Sequence, residues 1–126
     1  MIKVLIQTDS RYPVDRKRIR EKVKQVLQSK GVTSDTEVSL LFVGDRKMKE
    51  LNRKYRGKDE TTDVLSFAQE EGEIDFPRSK SLSLGDVIVS FPQVRKQAAQ
   101  YNVLLDEEID KLVEHGLLHL LGIHHE

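Results

Sequence analysis

The sequence is short of several residue types and patterns, and each shortage excludes a class of protein. None of its 126 residues is cysteine, which excludes disulfide scaffolds, cysteine-ligated zinc and thiol catalysis. No run approaches the roughly 18 apolar residues of a membrane span, and the first residues lack the layout of a signal peptide. Aromatic residues make up only 6%, so base stacking is not expected to dominate any binding of nucleic acid. We therefore expect a soluble, cytoplasmic protein with no membrane partner.

The length and the charge distribution indicate one folded domain with two differently charged halves. A chain of 126 residues fits a single domain over 1–126, and a hydrophobic fraction of 37% is enough for a modest core. The net charge is zero, but residues 1–60 contain 16 Lys and Arg against 9 Asp and Glu, whereas residues 61–126 contain 5 against 12. This asymmetry permits a basic surface for polyanions on a neutral protein.

Apolar periodicity predicts four strands and four helices, which is an α+β fold. The predicted strands are 2–8, 37–43, 64–67 and 84–91. Alternation in the second strand places Val38, Leu40 and Phe42 on one side. The predicted helices start near Asp15, Asp45, Pro92 and Asp106. We expect Asp45 to cap the second of these helices with its side chain.

The first predicted helix has a basic outer face. Its cationic residues are Arg16, Lys17, Arg18, Arg20, Lys22 and Lys24. Such a face has the charge to bind the backbone of a nucleic acid. A solvated helix rich in lysine and arginine is an equally good interpretation.

All four histidines of the chain fall within residues 115–125. His115 and His119 are four residues apart in the last predicted helix, so they lie about 40° apart around its axis and project to the same side. The apolar positions of this helix form a stripe on another side, at Ile109, Val113, Gly116, Leu117 and Leu120. The two imidazoles are therefore not simply core residues.

Gly122 offers a way to bring a third histidine to the same place. Glycine adopts the left-handed conformation that ends a helix and reverses the chain, and His125 follows three residues later. Three imidazoles with one open position make a catalytic zinc site. We therefore expect one Zn²⁺ per chain at His115, His119 and His125, although nickel or cobalt would suit the same ligands. The alternative is a solvated, pH-sensitive histidine-rich tail.

The histidine spacing does not match that of a zinc peptidase. Gly116 stands where the H-E-x-x-H motif has its general base, and Glu114 points about 100° away from His115 around the helix. A hydrolysis in which a metal-activated water is itself the nucleophile does not need that base.

Three segments, in order along the chain, resemble the YbeY family of bacterial metal-dependent endoribonucleases that mature ribosomal RNA. Residues 115–125 are similar to its H-G-x-L-H-L-x-G-x-x-H signature, residues 51–67 to its L-N-x-x-Y-R…T-D-V-L-S-F block, and residues 84–90 to its L-G-D-I-x-I-S strand. The resemblance implies an α+β fold with a mixed four-stranded sheet, four to five helices and a zincin-like metal helix at the C-terminal end.

The resemblance also implies roles for particular residues. By this resemblance His115, His119 and His125 are the zinc ligands, and Arg56 is the essential arginine near the metal. Capping the end of the second helix is a structural alternative for Arg56. The family has Asp before the third histidine, whereas this chain has His124, which we expect either to support the third ligand or to compete with it.

Other residues are expected to support the metal centre or to bind the substrate. Asp63 and Ser66 are candidates for hydrogen bonds to the ligand imidazoles. The expected contacts with the RNA backbone lie on the first helix, at Arg16, Arg18, Arg20, Lys22 and Lys24.

The expected function is that of a zinc-dependent, single-strand-specific endoribonuclease acting on rRNA. The resemblance implies maturation of the 16S rRNA 3′ end and late ribosome quality control, with the small ribosomal subunit and a ribosome-associated GTPase as partners. Two alternatives remain open. One is a zinc hydrolase of another substrate class, and the other is a non-catalytic ribosome-assembly factor with a structural metal.

Overall fold

Four strands and four helices make up the part of the chain that the structure describes. The structure is a computed structural model and describes residues 1–69 and 82–123. In chain order the elements are β1 (Ile2–Gln7), α1 (Arg16–Ser29), β2 (Thr36–Val43), α2 (Asp45–Arg56), β3 (Val64–Ala68), β4 (Leu82–Ser90), α3 (Phe91–Tyr101) and α4 (Leu105–Leu120). No helix in the described ranges is long and apolar enough to cross a membrane.

The sheet is mixed, and its strand order is β1-β2-β4-β3. β1, β2 and β4 are parallel, whereas β3 is an edge strand antiparallel to β4. Parallel neighbours need long crossover connections. α1 makes the first crossover, and α2 and β3 lie within the second. The predicted α+β fold with a mixed four-stranded sheet is confirmed.

Helices cover both faces of the sheet. We call the face under α1, α3 and α4 the α4 face, and the face under α2 the α2 face. The sheet residues in the core of the α4 face include Val38, Leu40, Phe42, Val87 and Val89. Those in the core of the α2 face are Leu65, Phe67 and Ile88, packed with Met48 of α2. Full burial of one such side chain stabilises the fold by about 1.5–3 kcal/mol, so both layers contribute.

The second strand is buried on both sides, which its alternation did not predict. Val38, Leu40 and Phe42 lie in the core as expected, but Glu37 and Ser39 on the opposite side are also only 3% and 6% exposed. The physical reason is the position of β2 inside the sheet, between β1 and β4, because interior strands of parallel sheets are commonly buried on both faces. Alternation of polar and apolar residues is therefore not enough to assign a solvent-facing side here.

Asp45 does not cap α2, contrary to the prediction. The N-cap is Gly44, which has no side chain to accept a hydrogen bond, and Asp45 is the first residue of the helix. Its Oδ1 instead accepts hydrogen bonds from Thr61 Oγ1 at 3.2 Å, Ser90 Oγ at 2.9 Å and Gln93 Nε2 at 3.0 Å. One carboxylate therefore joins the start of α2, the start of α3 and the loop before β3.

Replacing Asp45 tests this junction through its pH dependence. Burial alone raises the pKa of Asp45, but hydrogen bonds from Gln93, Ser90 and Thr61 outweigh it and hold the pKa below the ordinary 3.8. Because the folded-state pKa is lowered, the charge stabilises the fold above about pH 4 and the effect is lost as the pH falls through the folded pKa. We expect Asp45→Asn to lower the free energy of unfolding by about 1–3 kcal/mol at pH 7, and by less in acid.

Urea unfolding of wild type and Asp45→Asn at pH 7 and at successively lower pH values measures this difference. Asp59→Asn, an exposed aspartate in the loop after α2, is the matched control and should change little. A loss that is equal at every pH would contradict a role for the charge of Asp45.

Candidate metal centre

α4 carries two of the predicted ligands and packs along the sheet. Its first turn contains Asp106, Glu107 and Glu108, whose negative charge is favourable at the positive end of the helix dipole. The predicted apolar stripe is buried at all its positions, Ile109, Val113, Gly116, Leu117 and Leu120. His115 and His119 lie beside this stripe, the first exposed and the second half-buried.

Gly116 allows α4 to approach β4 closely. A Cβ atom at this position would lie 2.6 Å from Cγ1 of Val87, far inside the about 3.5–4.0 Å of a favourable contact between carbon atoms. Only a residue without Cβ fits between the helix and the strand as they are placed. His115 precedes this contact and His119 follows it by one turn, so it sets the height of both imidazoles above the sheet.

The imidazoles of His115 and His119 lie next to each other. Their ring centroids are 4.6 Å apart and their planes are inclined by 49°. Because zinc–nitrogen bonds are about 2.0–2.1 Å long, two rings this close can each direct a nitrogen at one ion. Their placement on one side of the helix agrees with the spacing argument, and their neutral nitrogen donors suit zinc.

Gly122 reverses the chain at the end of α4. Its φ is +77°, its N–H donates to the carbonyl of His119 at 3.0 Å, and the N–H of Ile123 donates to the carbonyl of Leu118 at 2.8 Å. These two bonds form the Schellman arrangement, which ends a helix at a left-handed residue. The predicted reversal at Gly122 is confirmed.

The predicted third ligand lies outside the described residues. His124 and His125 both fall beyond residue 123, so the choice between them stays a prediction. Within residues 1–69 and 82–123, no group of three or more His, Cys, Asp or Glu side chains could hold a metal ion. The three-histidine site therefore stays a prediction, since its third member lies outside these ranges.

Arg56, the last residue of α2, contacts the edge strand β3 with its guanidinium group. Its Nη2 donates a hydrogen bond to the carbonyl of Ser66 at 2.8 Å, and its Cζ lies 4.5 Å from the centre of the Phe67 ring. The end of α2 is capped by main-chain groups, because the N–H of Gly57 donates to the carbonyl of Arg53 at 3.1 Å. The side chain of Arg56 thus reaches across to β3.

Arg56, Ser66 and the two histidines meet in one cavity of about 190 Å³, here called the central cavity. Its lining residues are Arg56, Val64, Leu65, Ser66, His115, Gly116 and His119. Three elements contribute: α2 ends at the arginine, β3 forms the floor, and α4 supplies the imidazoles. The cavity offers imidazole nitrogens and a planar cation to a ligand that carries negative charge.

Asp63 lies beside His115 and is tied to α3. Its Oδ1 accepts a hydrogen bond from the N–H of Val64 at 2.8 Å, and its Oδ2 accepts one from Nε2 of Gln97 at 3.1 Å. These bonds fix the start of β3 against α3. Hydrogen bonds from Asp63 or Ser66 to a metal-ligating imidazole stay predictions.

A second cavity, of about 340 Å³, lies between α3 and α4, and we call it the α3–α4 cavity. It shares His115 with the central cavity, and its charged lining residues are Asp63, Glu108, Lys111 and Glu114. Because Glu114 is paired with Lys22 of α1, Asp63 and Glu108 against Lys111 leave the wall with a small excess of negative charge. This side of the centre therefore repels phosphate groups.

The basic face of α1 is largely engaged within the protein. Nη2 of Arg18 lies 2.9 Å from Oδ2 of Asp110, and Nζ of Lys22 lies 3.0 Å from Oε1 of Glu114. Arg16 donates to a main-chain carbonyl of β1 at 2.8 Å. The remaining two of the five expected RNA-backbone residues make no such contact with the described part of the chain. An RNA contact on this helix stays a prediction: of the five expected residues, Arg18 and Lys22 form ion pairs with α4, and Arg16 is held by an uncharged carbonyl.

Two residues have structural roles that the sequence reasoning missed. The sequence pattern assigns Gly116 to the buried stripe but not to a close contact. A glycine inside a helix lowers the stability of that helix by about 1 kcal/mol relative to alanine. Its presence there could therefore have indicated that the helix packs closely against a neighbour. Asp45 had no comparable signal, because its hydrogen-bond partners lie 16, 45 and 48 residues away along the chain.

The sequence matches one protein family along nearly its whole length. The family model described as "Endoribonuclease YbeY" matches residues 5–126. The chain belongs to the YbeY family. A YbeY relative named Endoribonuclease YbeY, from Bacillus cytotoxicus, is 45% identical over 115 residues, which cover 85% of this chain and 71% of the relative. Another of that name, from Desulforamulus reducens, is 44% identical over 111 residues, with 86% and 72% covered.

A solved structure supports the fold. A Thermotoga maritima protein, determined in solution, superposes with a TM-score of 0.61 at 26% sequence identity, covering 98% of this chain and 75% of that one. The resemblance to YbeY proteins that the three sequence segments indicated is therefore confirmed by the family match and accompanied by a matching architecture.

Replacing Gly116 tests the close contact with Val87 that positions α4 and, with it, His115 and His119. In Gly116→Ala the new methyl group meets Val87, and we expect the overpacking to cost about 1–3 kcal/mol. Val87→Ala opens the space, so Gly116→Ala should cost much less in that background. Urea unfolding of the wild type, both single variants and the double variant should give a coupling energy of about 1–2 kcal/mol. Strictly additive effects would contradict the close contact.

Proposed function

We propose that this YbeY protein is an endoribonuclease that cleaves single-stranded RNA at the central cavity. The proposal rests on one observation, that Arg56, His115 and His119 line the same cavity although they come from opposite faces of the sheet. Hydrolysis of a phosphodiester needs an activated water and compensation of negative charge in the transition state. The name endoribonuclease, carried by the family and its relatives, supports RNA as the substrate.

The metal is proposed to be one Zn²⁺ per chain, bound by His115, His119 and His125, with His124 supporting the third ligand. Three neutral imidazoles with an open position are typical of catalytic zinc sites. The 4.6 Å separation of the His115 and His119 rings supports their sharing one ion. When bound, such an ion supplies Lewis acidity at neutral pH.

Arg56 is proposed to hold the phosphate of the substrate. A guanidinium can donate two parallel hydrogen bonds to two phosphate oxygens, which both binds and orients the group. The bond from Nη2 to the carbonyl of Ser66 fixes the guanidinium at the cavity wall. Because a carbonyl carries no net charge, this bond positions the arginine without neutralising it.

A zinc peptidase is disfavoured by the position of Glu114. The motif position of the peptidase base is occupied by Gly116. Glu114, the nearest acid in sequence, lies 3.0 Å from Nζ of Lys22, in an ion pair with α1. Its carboxylate is therefore directed toward α1, and it is not available as a base in the central cavity.

The resemblance to YbeY proteins supports a more specific proposal. The substrate is proposed to be rRNA in the cytoplasm, with cleavage in the maturation of the 16S rRNA 3′ end and in late ribosome quality control. The proposed partners are the small ribosomal subunit and a ribosome-associated GTPase.

Arg56→Ala tests the proposed reaction. We expect the rate of cleavage of a single-stranded RNA to fall at least 100-fold, because removal of one group that stabilises transition-state charge costs about 10²–10³ in rate. The metal content should not change. Arg95→Ala is the matched control, since Arg95 is also exposed and also lies over a phenylalanine ring, that of Phe91. Full cleavage by Arg56→Ala would contradict the role of the arginine.

Removal of the metal tests the proposed ligands. Elemental analysis should give about one zinc per chain, as expected for a catalytic site with three histidine ligands. His119→Ala and His125→Ala should lose zinc and cleavage, while His124→Ala should retain zinc. Chelation should abolish cleavage by the wild type, and added zinc should restore it. RNA binding that survives chelation, with no cleavage in any preparation, would instead favour an assembly factor with a structural metal.

A further inference from the structure

Four cations of α2 lie in one line that ends at the central cavity. Arg46, Lys49, Arg53 and Arg56 are all exposed and are spaced three, four and three residues apart. At 100° per residue they fall within an arc of about 80° on the helix, and at 1.5 Å per residue they extend over about 15 Å. We call this line the α2 stripe. Its last member, Arg56, lines the cavity with His115.

The stability of α2 accounts for Arg53 and Arg56, which lie in its last turn, but not for Arg46 at its start. Cations near the end of a helix are favourable and those in its first turn are unfavourable, yet Arg46 is the second residue of α2. Within the described residues, Arg46, Lys49 and Arg53 make no ion pair. The nearby acid Glu50 lies 3.5 Å from Nζ of Lys47, outside the stripe. Glu50 and Asp59 line one cavity with Arg46, Lys49 and Arg53, so two acids lie beside the four cations of the stripe and leave it a net positive charge.

The surroundings of the central cavity leave the α2 side as the approach for a polyanion. The α3–α4 cavity on the other side of His115 is lined by three acids, Asp63, Glu108 and Glu114. The α1 cations Arg18 and Lys22 are paired with α4. Phosphate groups are attracted by the α2 stripe and repelled from the acidic side, and the two effects favour the same path.

We propose that the α2 stripe binds the phosphate backbone of a single-stranded RNA and leads one phosphate to Arg56. This inference rests on the proposed endoribonuclease function, and it places the RNA track on α2, whereas the sequence pattern favoured α1. Arg46 and Lys49 lie about 15 and 10 Å from Arg56 along the helix. They therefore contact nucleotides beyond the one that is cleaved.

The test uses Arg46→Gln/Lys49→Gln, which removes two charges far from the cavity and keeps helix propensity nearly unchanged. The matched control is Arg95→Gln/Lys96→Gln, an equal charge change at two exposed positions of α3. Fluorescence anisotropy measures the affinity of the zinc-loaded protein for a labelled single-stranded 2′-O-methyl oligonucleotide over a series of salt concentrations. Thermal unfolding confirms that both variants fold.

Each phosphate contact with a single strand contributes about 0.7 to the slope of log affinity against log salt. We expect the α2 variant to lose about 1.4 from that slope and about tenfold in affinity, with the control unchanged. In cleavage of the corresponding RNA, KM should rise about tenfold and kcat should stay the same, because the two residues do not touch the reacting phosphate.

The two proposals fail in different ways. Cleavage by the wild type together with an unchanged slope and KM in Arg46→Gln/Lys49→Gln would overturn the α2 stripe and leave the endoribonuclease function standing. A lower slope in that variant, with no cleavage by the wild type, would support the stripe and contradict the endoribonuclease function. An equal loss in the α3 control would also overturn the stripe, because it would show only the effect of net charge.

Discussion

The positions of His115 and His119 depend on the close contact between Gly116 of α4 and Val87 of β4. Because Gly116 has no Cβ, α4 packs close to the sheet, and His115 and His119 line a cavity with residues of the edge strand β3. A larger residue would raise both imidazoles together and widen the gap to Arg56. Packing in the core and geometry at the centre are thus set by the same pair of residues.

Arg56 can share a cavity with His115 and His119 only because β3 is an edge strand. α2 and α4 lie on opposite faces of the sheet, so a side chain of one can meet a side chain of the other only where the sheet ends. β3 is short and forms that border, where Arg56, lying over Phe67 of the α2 face, lines one cavity with His115 and His119 of α4. The same arrangement separates charge, since the approach from α2 is basic and the wall between α3 and α4 is acidic. This is the direction from which the proposed RNA substrate would reach the central cavity.

Sequence patterns predicted the features that depend on neighbours along the chain. The strand and helix order, the burial of the α4 stripe and the reversal at Gly122 all follow from spacing within about 16 residues, and the structure agrees with them. The failures involve distant partners. Asp45 bonds to Ser90 and Gln93 in place of capping its helix, and Glu37 is buried in a strand that lies between β1 and β4 inside the sheet. The engagement of Arg18 by Asp110 is equally remote in sequence, so α1 seemed more available than it is.

The anchor of Arg56 is a main-chain carbonyl, and this has a consequence for divergence within the family. The oxygen that accepts from the guanidinium belongs to the backbone of β3, so its position does not depend on which side chain residue 66 carries. Replacing the side chain of Ser66 therefore leaves the acceptor of this hydrogen bond in place. A one-residue insertion or deletion in β3 would be far more damaging than most substitutions there, because it would change the pairing with β4 and move every carbonyl along the strand.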